Sequence, residues 1–187
     1  LKREFRMLKS KFGLKVMPNS NWKFLRLRPS NFPTIRIAQI SKIITKNGAM
    51  FSKIRDSNSI DEVKELFDVE LSEYWNNHYQ FDKVSDYVKK KTLGKTAVEL
   101  SVINTVVPML FYYGKYHGLE SHKEKAMNYL ESIEAENNLV IRSFSQCGLH
   151  FQNAFQTQAA LYMYKHYCRR RRCLECRIYC LLSRRCS

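Results

Sequence analysis

The chain lacks any run of eighteen uninterrupted apolar residues, any Gly-rich phosphate loop, any HExxH pattern, and any Ser-His-Asp order resembling a hydrolase triad. The first absence argues against a membrane span. The most apolar stretch, residues 97 to 113, is interrupted by Glu99, Asn104, Thr105 and Pro108, and it reads as a buried helix. The other absences leave no self-contained active site in view. Sustained strict alternation is missing too, so the pattern favours helices over strands. No internal repeat is evident. The amino end, Leu1-Lys2-Arg3-Glu4, carries no initiator Met, signal region or cleavage site. The chain is therefore read as a fragment of something longer, secretion has no support, and a cytoplasmic location is expected.

Acidic residues are scarce at both ends. Residues 1–28 hold nine Lys/Arg against one Glu, residues 165–187 hold eight against one, and residues 29–164 hold fifteen of each sign. The whole excess of +15 is thus terminal. A neutral body with two cationic ends suits nucleic acid or an acidic partner, although solvated charged segments show the same composition. With 187 residues, 44% hydrophobic and 13% aromatic, the chain can bury a core and is not disordered.

Helical periodicity organises most of the sequence. Phe5, Leu8 and Phe12 continue a stripe from Leu1 toward Val16, predicting a basic amphipathic helix that ends before Pro18. Pro29 and Pro33 hold residues 22–33 extended. Thr34 is the predicted cap of a helix that carries Ile35, Ala38 and Ile43 among Ile37, Ile40 and Ile44, and stops at Asn47-Gly48. Ser59 and Glu62 form a capping-box pattern before the next helix. A short helix is expected around Leu71 and Trp75, and a loop at His78 to Phe81 within the polar and aromatic stretch 76–94. Thr96 is the predicted cap of the long apolar helix, which Pro108 should kink unless a new helix starts at that point, and which Gly114 and Gly118 should end. Further helices are expected over 121–133, 138–144 and 151–167. The fold class is all-α: an irregular multi-helix domain with a basic, Cys-rich tail. Its linear division is a basic helix and linker (1–21), a helical core (22–167) and the tail (168–187).

The tail holds the densest chemistry. Cys168, Cys173, Cys176 and Cys180 stand at C-x4-C-x2-C-x3-C spacing among Arg169, Arg170, Arg171, Arg172 and Arg177. Nearby arginines favour thiolate, the form that binds metal. Three readings stay open: a zinc or iron–sulfur site, buried or free thiols on a terminal helix, and disulfides. Cys147, Cys186 and His166 are substitute ligands. Near the other end, Trp22-Lys23-Phe24-Leu25-Arg26-Leu27-Arg28 interleaves aromatics with cations. That pattern lets a surface stack on a base while contacting phosphate, and it also suits a loop anchored under the following helix. His78, with Glu70, Glu73 and Asp82 nearby in sequence, has the residue types for acid–base work, but no nucleophile spacing accompanies it.

Several blocks occur in one order: residues 22–39 from Trp22 to Gln39, Trp75-Asn76-Asn77-His78-Tyr79, Leu93-Gly94-Lys95, Ile103-Asn104-Thr105-Val106-Val107-Pro108 with Tyr113-Gly114, and Tyr167-Cys168 with Cys173 to Ile178. Together they resemble a bacterial family, the domain of unknown function 2851 family, over roughly residues 1–178. The resemblance implies that the chain is the carboxy-terminal half of the family's usual length. It also implies that the missing half carries acidic and Val-Glu-Ile-His-like residues similar to a restriction-endonuclease-type core. Only Cys168, Cys173 and Cys176 fall on the family's cysteine pattern, so Cys180 departs from it. The combined reading is a helical nucleic-acid-binding module of a larger protein, contacting its ligand through Trp22, Arg26, Arg28 and Arg169 to Arg172, with a structural metal held by Cys168, Cys173, Cys176 and a fourth ligand. Two alternatives stand beside it. One is the accessory half of a nuclease-like hydrolase, and the other is a structural module whose basic ends dock on an acidic partner domain. No membrane partner is expected.

Overall fold

A computed structural model of the chain describes residues 2–18 and 21–183. It is mainly α, as the periodicity predicts, with one two-stranded hairpin among the described residues. The chain compacts into two units that cut across its linear order: Leu1–Lys46 with Val69–Thr92, and Asn47–Asp68 with Leu93–Ser187.

In the first unit, α1 (Lys2–Phe12) ends at Gly13, whose φ of 60° suits a residue without Cβ. Phe5, Leu8 and Phe12 form the expected stripe but are all exposed, and Val16 lies beyond the helix. Helix α2 (Pro33–Asn47) begins two residues earlier than a cap at Thr34 would set it. Pro33 fits the first helical position because its missing N–H has no acceptor there in any helix. Thr34 is consequently no cap, and its hydroxyl donates instead to the carbonyl of Tyr79. Ile35 is buried with Leu71 and Trp75, and Phe32, Ala38, Tyr74 and Tyr79 pack around this cluster. Ile37, Ile40 and Ile44 turn outward, so the buried face of α2 is narrower than its apolar composition suggests. Trp75 sits in a 3-10 turn, Glu73–Asn76, and the polar and aromatic stretch after it, where a loop is expected, contains the antiparallel hairpin β1 (His78–Gln80) and β2 (Lys83–Val84). Its reversal passes through Asp82 at φ 59°.

In the second unit, α3 (Met50–Asp56) is a helix that the sequence pattern did not single out. Before α4 (Ile60–Glu65), Ser59 accepts from the Glu62 N–H at 3.2 Å, as a capping box requires. The Glu62 carboxylate reaches back to the N–H of Asn58, one residue before the expected partner. Helices α5 (Lys95–Ser101) and α6 (Val107–His117) are joined by a π-helical segment, Val102–Val106. Gly94 caps α5, and Thr96 lies inside it. Helix α6 starts at Val107 with Pro108 in its first turn, the second of the two expected outcomes, and Val107 donates to Val102, five residues back. Proline has no N–H and its ring crowds the carbonyl four residues earlier, and a widened turn just upstream relieves both problems. The stretch Lys95–His117 is long and apolar enough to cross a membrane by length and composition. Within the unit, its Val102, Ile103, Val106, Val107 and Leu110 are buried. Helices α7 (Glu120–Glu131), α8 (Leu139–Gln146) and α9 (Ala154–Met163) follow, the last two capped by the side chains of Asn138 and Asn153.

Helix α6 ends at Gly118, which is left-handed with φ 67° and begins the turn to α7. Gly114 does not end α6 but lets α7 approach it closely. A Cβ there would stand 2.8 Å from the Leu119 carbonyl oxygen and 3.0 Å from side-chain carbons of His122 and Lys123. Because one of these contacts is backbone, the helices would have to separate. Gly114→Ala should lower stability by about 1–3 kcal/mol, the usual cost of overpacking. Thermal unfolding checks this, and an unchanged midpoint would show that α6 and α7 separate without penalty.

Candidate functional site

The aromatic and basic loop of the first unit lies beside α2 and the hairpin. Phe24 meets Phe32 edge to face at 5.1 Å, and Phe32 meets Tyr79 at 6.4 Å, so the loop is anchored at its far end. Arg26 occupies a left-handed position at φ 62° in the turn between, and Arg28 precedes a 3-10 turn, Pro29–Asn31. Anchoring and exposure therefore coexist: Phe24 and Phe32 are half-buried, whereas Lys23, Arg26 and Arg28 are exposed. These three cations have no acidic partner among the described residues.

Two hollows open on this surface. One, of about 390 Å3, is lined by Trp22, Ile37, Ala38, Lys42, Tyr74 and Phe81 among others. The second, of about 470 Å3, is lined by Trp22, Phe24, Thr34, Gln80 and Phe81. Trp22, Thr34 and Phe81 belong to both, so the hollows adjoin. Trp75 packs against Phe81 at 5.2 Å, and Tyr74 stacks toward it at 6.5 Å, fixing the floor. The contribution of Phe81 was not apparent from sequence, because it depends on the hairpin bringing residue 81 back to residue 22.

His78 does not form an acid–base pair. Its Nδ1 lies 2.8 Å from the Tyr74 carbonyl and 2.7 Å from Asn77 Oδ1, and its ring stacks on Tyr74 at 4.0 Å. With two oxygen acceptors at Nδ1, that nitrogen carries the proton and the ring serves as a strut. Glu70 is paired with Lys90 at 2.7 Å. Lys91 is a residue that sequence reading missed, since nothing distinguishes it from Lys89 and Lys90. It is buried, donates to the Asn76 and Lys89 carbonyls at 2.7 and 3.1 Å, and lies 4.1 Å from the Tyr79 ring centre. Burial, and secondarily Lys89, hold its pKa below the usual lysine value.

The cysteine segment belongs to the second unit. Helix α9 widens into a π-helical turn, Tyr164–Cys168, where Arg169 donates to Tyr164 at 2.8 Å. Arg171, left-handed at φ 54°, then reverses the chain into a 3-10 turn, Cys173–Glu175, and helix α10 (Arg177–Ser183). Cys168 and Cys173 are exposed, and Cys176 is buried. Cys173, Cys176 and Cys180 do not share the one terminal helix that would make them a stripe, because Cys173 lies in the 3-10 turn and Cys176 precedes α10. The Cys168 thiol is pushed above its ordinary value by burial first, then by the charges of Cys176 and Cys173. The arginines do not activate it as their proximity in sequence suggests, since Arg169 to Arg171 extend into solvent. Arg172 is not free either: it pairs with Glu175 through two hydrogen bonds, one of 2.9 Å. His166 is half-buried and packs on Tyr162 at 4.2 Å, Cys147 is exposed at the end of α8, and Cys180 is disulfide-bonded. Cys168 feels the charge of Cys176 and Cys173, yet among the described residues, outside which Cys186 lies, no three His, Cys, Asp or Glu side chains are gathered closely enough to hold one ion.

Two outcomes follow from these charges. The alkylation rate of Cys168 plotted against pH should have its midpoint above that of an unstructured cysteine peptide, read by peptide-resolved mass spectrometry; a midpoint below it would restore arginine activation. For Lys91, whose folded pKa is depressed, the unfolded chain binds more protons between that value and about 10.4. Stability relative to Lys91→Met should therefore rise with pH across this window, and a falling difference would contradict a desolvated amine.

No curated protein and no solved structure matches the chain. The family described as "Protein of unknown function (DUF2851)" matches residues 1–139. That span includes the loop, α2 and the hairpin, but stops short of the cysteine segment, so the resemblance of Tyr167-Cys168 and Cys173 to Ile178 lies outside it. With 139 of its 187 residues matched, the chain belongs to the DUF2851 family.

Proposed function

We propose that the first unit binds single-stranded nucleic acid. The observation that carries this reading is the pair of adjoining hollows sharing Trp22 and Phe81, beside cations on the same loop that lack acidic partners. Bases offer planar faces of any sequence to such aromatics, while phosphates attract lysine and arginine. A single strand fits better than a duplex because stacking on Trp22 requires an unpaired base. Lys23, Arg26, Arg28 and Lys42 would track the backbone. Arg169, Arg170 and Arg171 give the second unit a separate cationic surface that supports weaker, sequence-independent contact. Arg172 contributes less because Glu175 already neutralises it.

A second reading has its own observation. Helix α1 leaves Phe5, Leu8 and Phe12 exposed along one stripe, which favours contact with a protein partner. The two are separable by salt. Fluorescence anisotropy with a labelled oligothymidylate should show log K falling, for each tenfold rise in salt, by about 0.7 per neutralised phosphate. Trp22→Ala should weaken binding by about 1–3 kcal/mol with little change in that slope, because stacking is lost and charge is kept. Arg26→Ala together with Arg28→Ala should reduce the slope. A flat salt response, or equal affinity of the Trp22 variant, would reject the nucleic-acid reading.

A further inference from the structure

The second unit carries an apolar groove that the nucleic-acid reading does not use. Helix α9 turns Phe155, Ala159 and Tyr162 outward at four- and three-residue steps, forming one face. The left-handed Arg171 then folds the chain back so that Cys176, Arg177 and Ile178 line the same hollow. Phe151 and Met163 complete its apolar walls. Its volume is about 570 Å3, which falls in the range of small-molecule sites rather than of extended peptide grooves.

The charge of the lining is one-sided. Among the described residues no Asp or Glu lines the groove, whereas Arg177 does, and Arg177 has no ion-pair partner among them. Arg169, Arg170 and Arg171, in the turn that leads into the groove wall, are likewise without carboxylates. An apolar body is favoured by the walls, and a negative head by the free guanidinium. A cationic or purely apolar ligand would leave that arginine unused.

We propose that this groove binds a free amphipathic carboxylate, an acyl or aryl chain whose body lies along Phe155, Ala159 and Tyr162 and whose head meets Arg177. Cys176, buried at the groove, gives a local reporter, since an occupied groove shields its thiol from alkylation.

Isothermal titration of the full chain with decanoate, below its micelle concentration, tests this against decanol and decyltrimethylammonium. Decanoate should bind best and should slow maleimide labelling of Cys176, read at peptide resolution. Arg177→Gln, at an exposed position, should weaken decanoate by about fivefold and leave decanol unchanged. Ala159→Trp should fill the groove and abolish binding of both, with circular dichroism confirming that the helices are retained. Equal binding of the three chains, or decanoate binding that survives Ala159→Trp, would overturn the proposal. Retention on anionic lipid vesicles without decanoate binding would also overturn it, assigning the surface to membrane headgroups. If Ala159→Trp loses its helical signal, the Arg177→Gln comparison and the labelling of Cys176 still decide.

Discussion

The first unit depends on the closure of Ile35, Leu71 and Trp75 over one another, reinforced by the hydrogen bond from Thr34 to the Tyr79 carbonyl. These residues come from segments separated by more than thirty positions in the chain. Their packing places α2 against the 3-10 turn and holds the hairpin that carries Phe81. Truncating a buried aromatic of this kind costs about 3–5 kcal/mol, a large share of the margin available to a small unit. The surface features nearest this closure depend on it: Phe24 is fixed through Phe32, and Lys91 ties the end of the segment back to Asn76.

In the second unit, the comparable devices are two widened helical turns. The first accommodates Pro108 without ending the helix, so α5 and α6 present a continuous row from Val98 to Leu110 to the core. The second ends α9 and, with Arg171, turns the chain so that the cysteine segment runs back beside its own helix. Both are local answers to backbone constraint, and π turns of this kind are frequent where side chains must be re-aimed. The consequence for the tail is chemical. Cys168 and Cys176 come within electrostatic reach of each other, while the arginines between them stay in solvent.

Much of this fold was legible in the residues because helices announce themselves through period and punctuation. Ser59, Asn47-Gly48 and Gly118 mark their helix ends as side-chain chemistry dictates. Thr34 and Thr96 misled for a physical reason: a threonine near a helix start caps only if the preceding residue is non-helical, and Pro33 and Lys95 are helical. The hairpin escaped notice because its strands are too short to show alternation. Charge likewise depends on tertiary placement. Sequence neighbours of Cys168 are arginines, but its spatial neighbours are two thiols, and spatial neighbours set a pKa. Trp22, Arg26 and Arg28 were legible as surface chemistry, whereas Phe81 and Lys91 acquire their roles only through tertiary contacts.

Membership of the DUF2851 family rests on residues 1–139, which include the whole of the aromatic and basic surface. The central claim is that this surface stacks unpaired bases. Ultraviolet crosslinking of the full chain to a 5-bromodeoxyuridine oligonucleotide, mapped by peptide mass spectrometry, tests it most directly. The account predicts crosslinks at Trp22, Phe24 or Phe81; crosslinks confined to the segment from Arg169 to Arg172, or none at all, would contradict it.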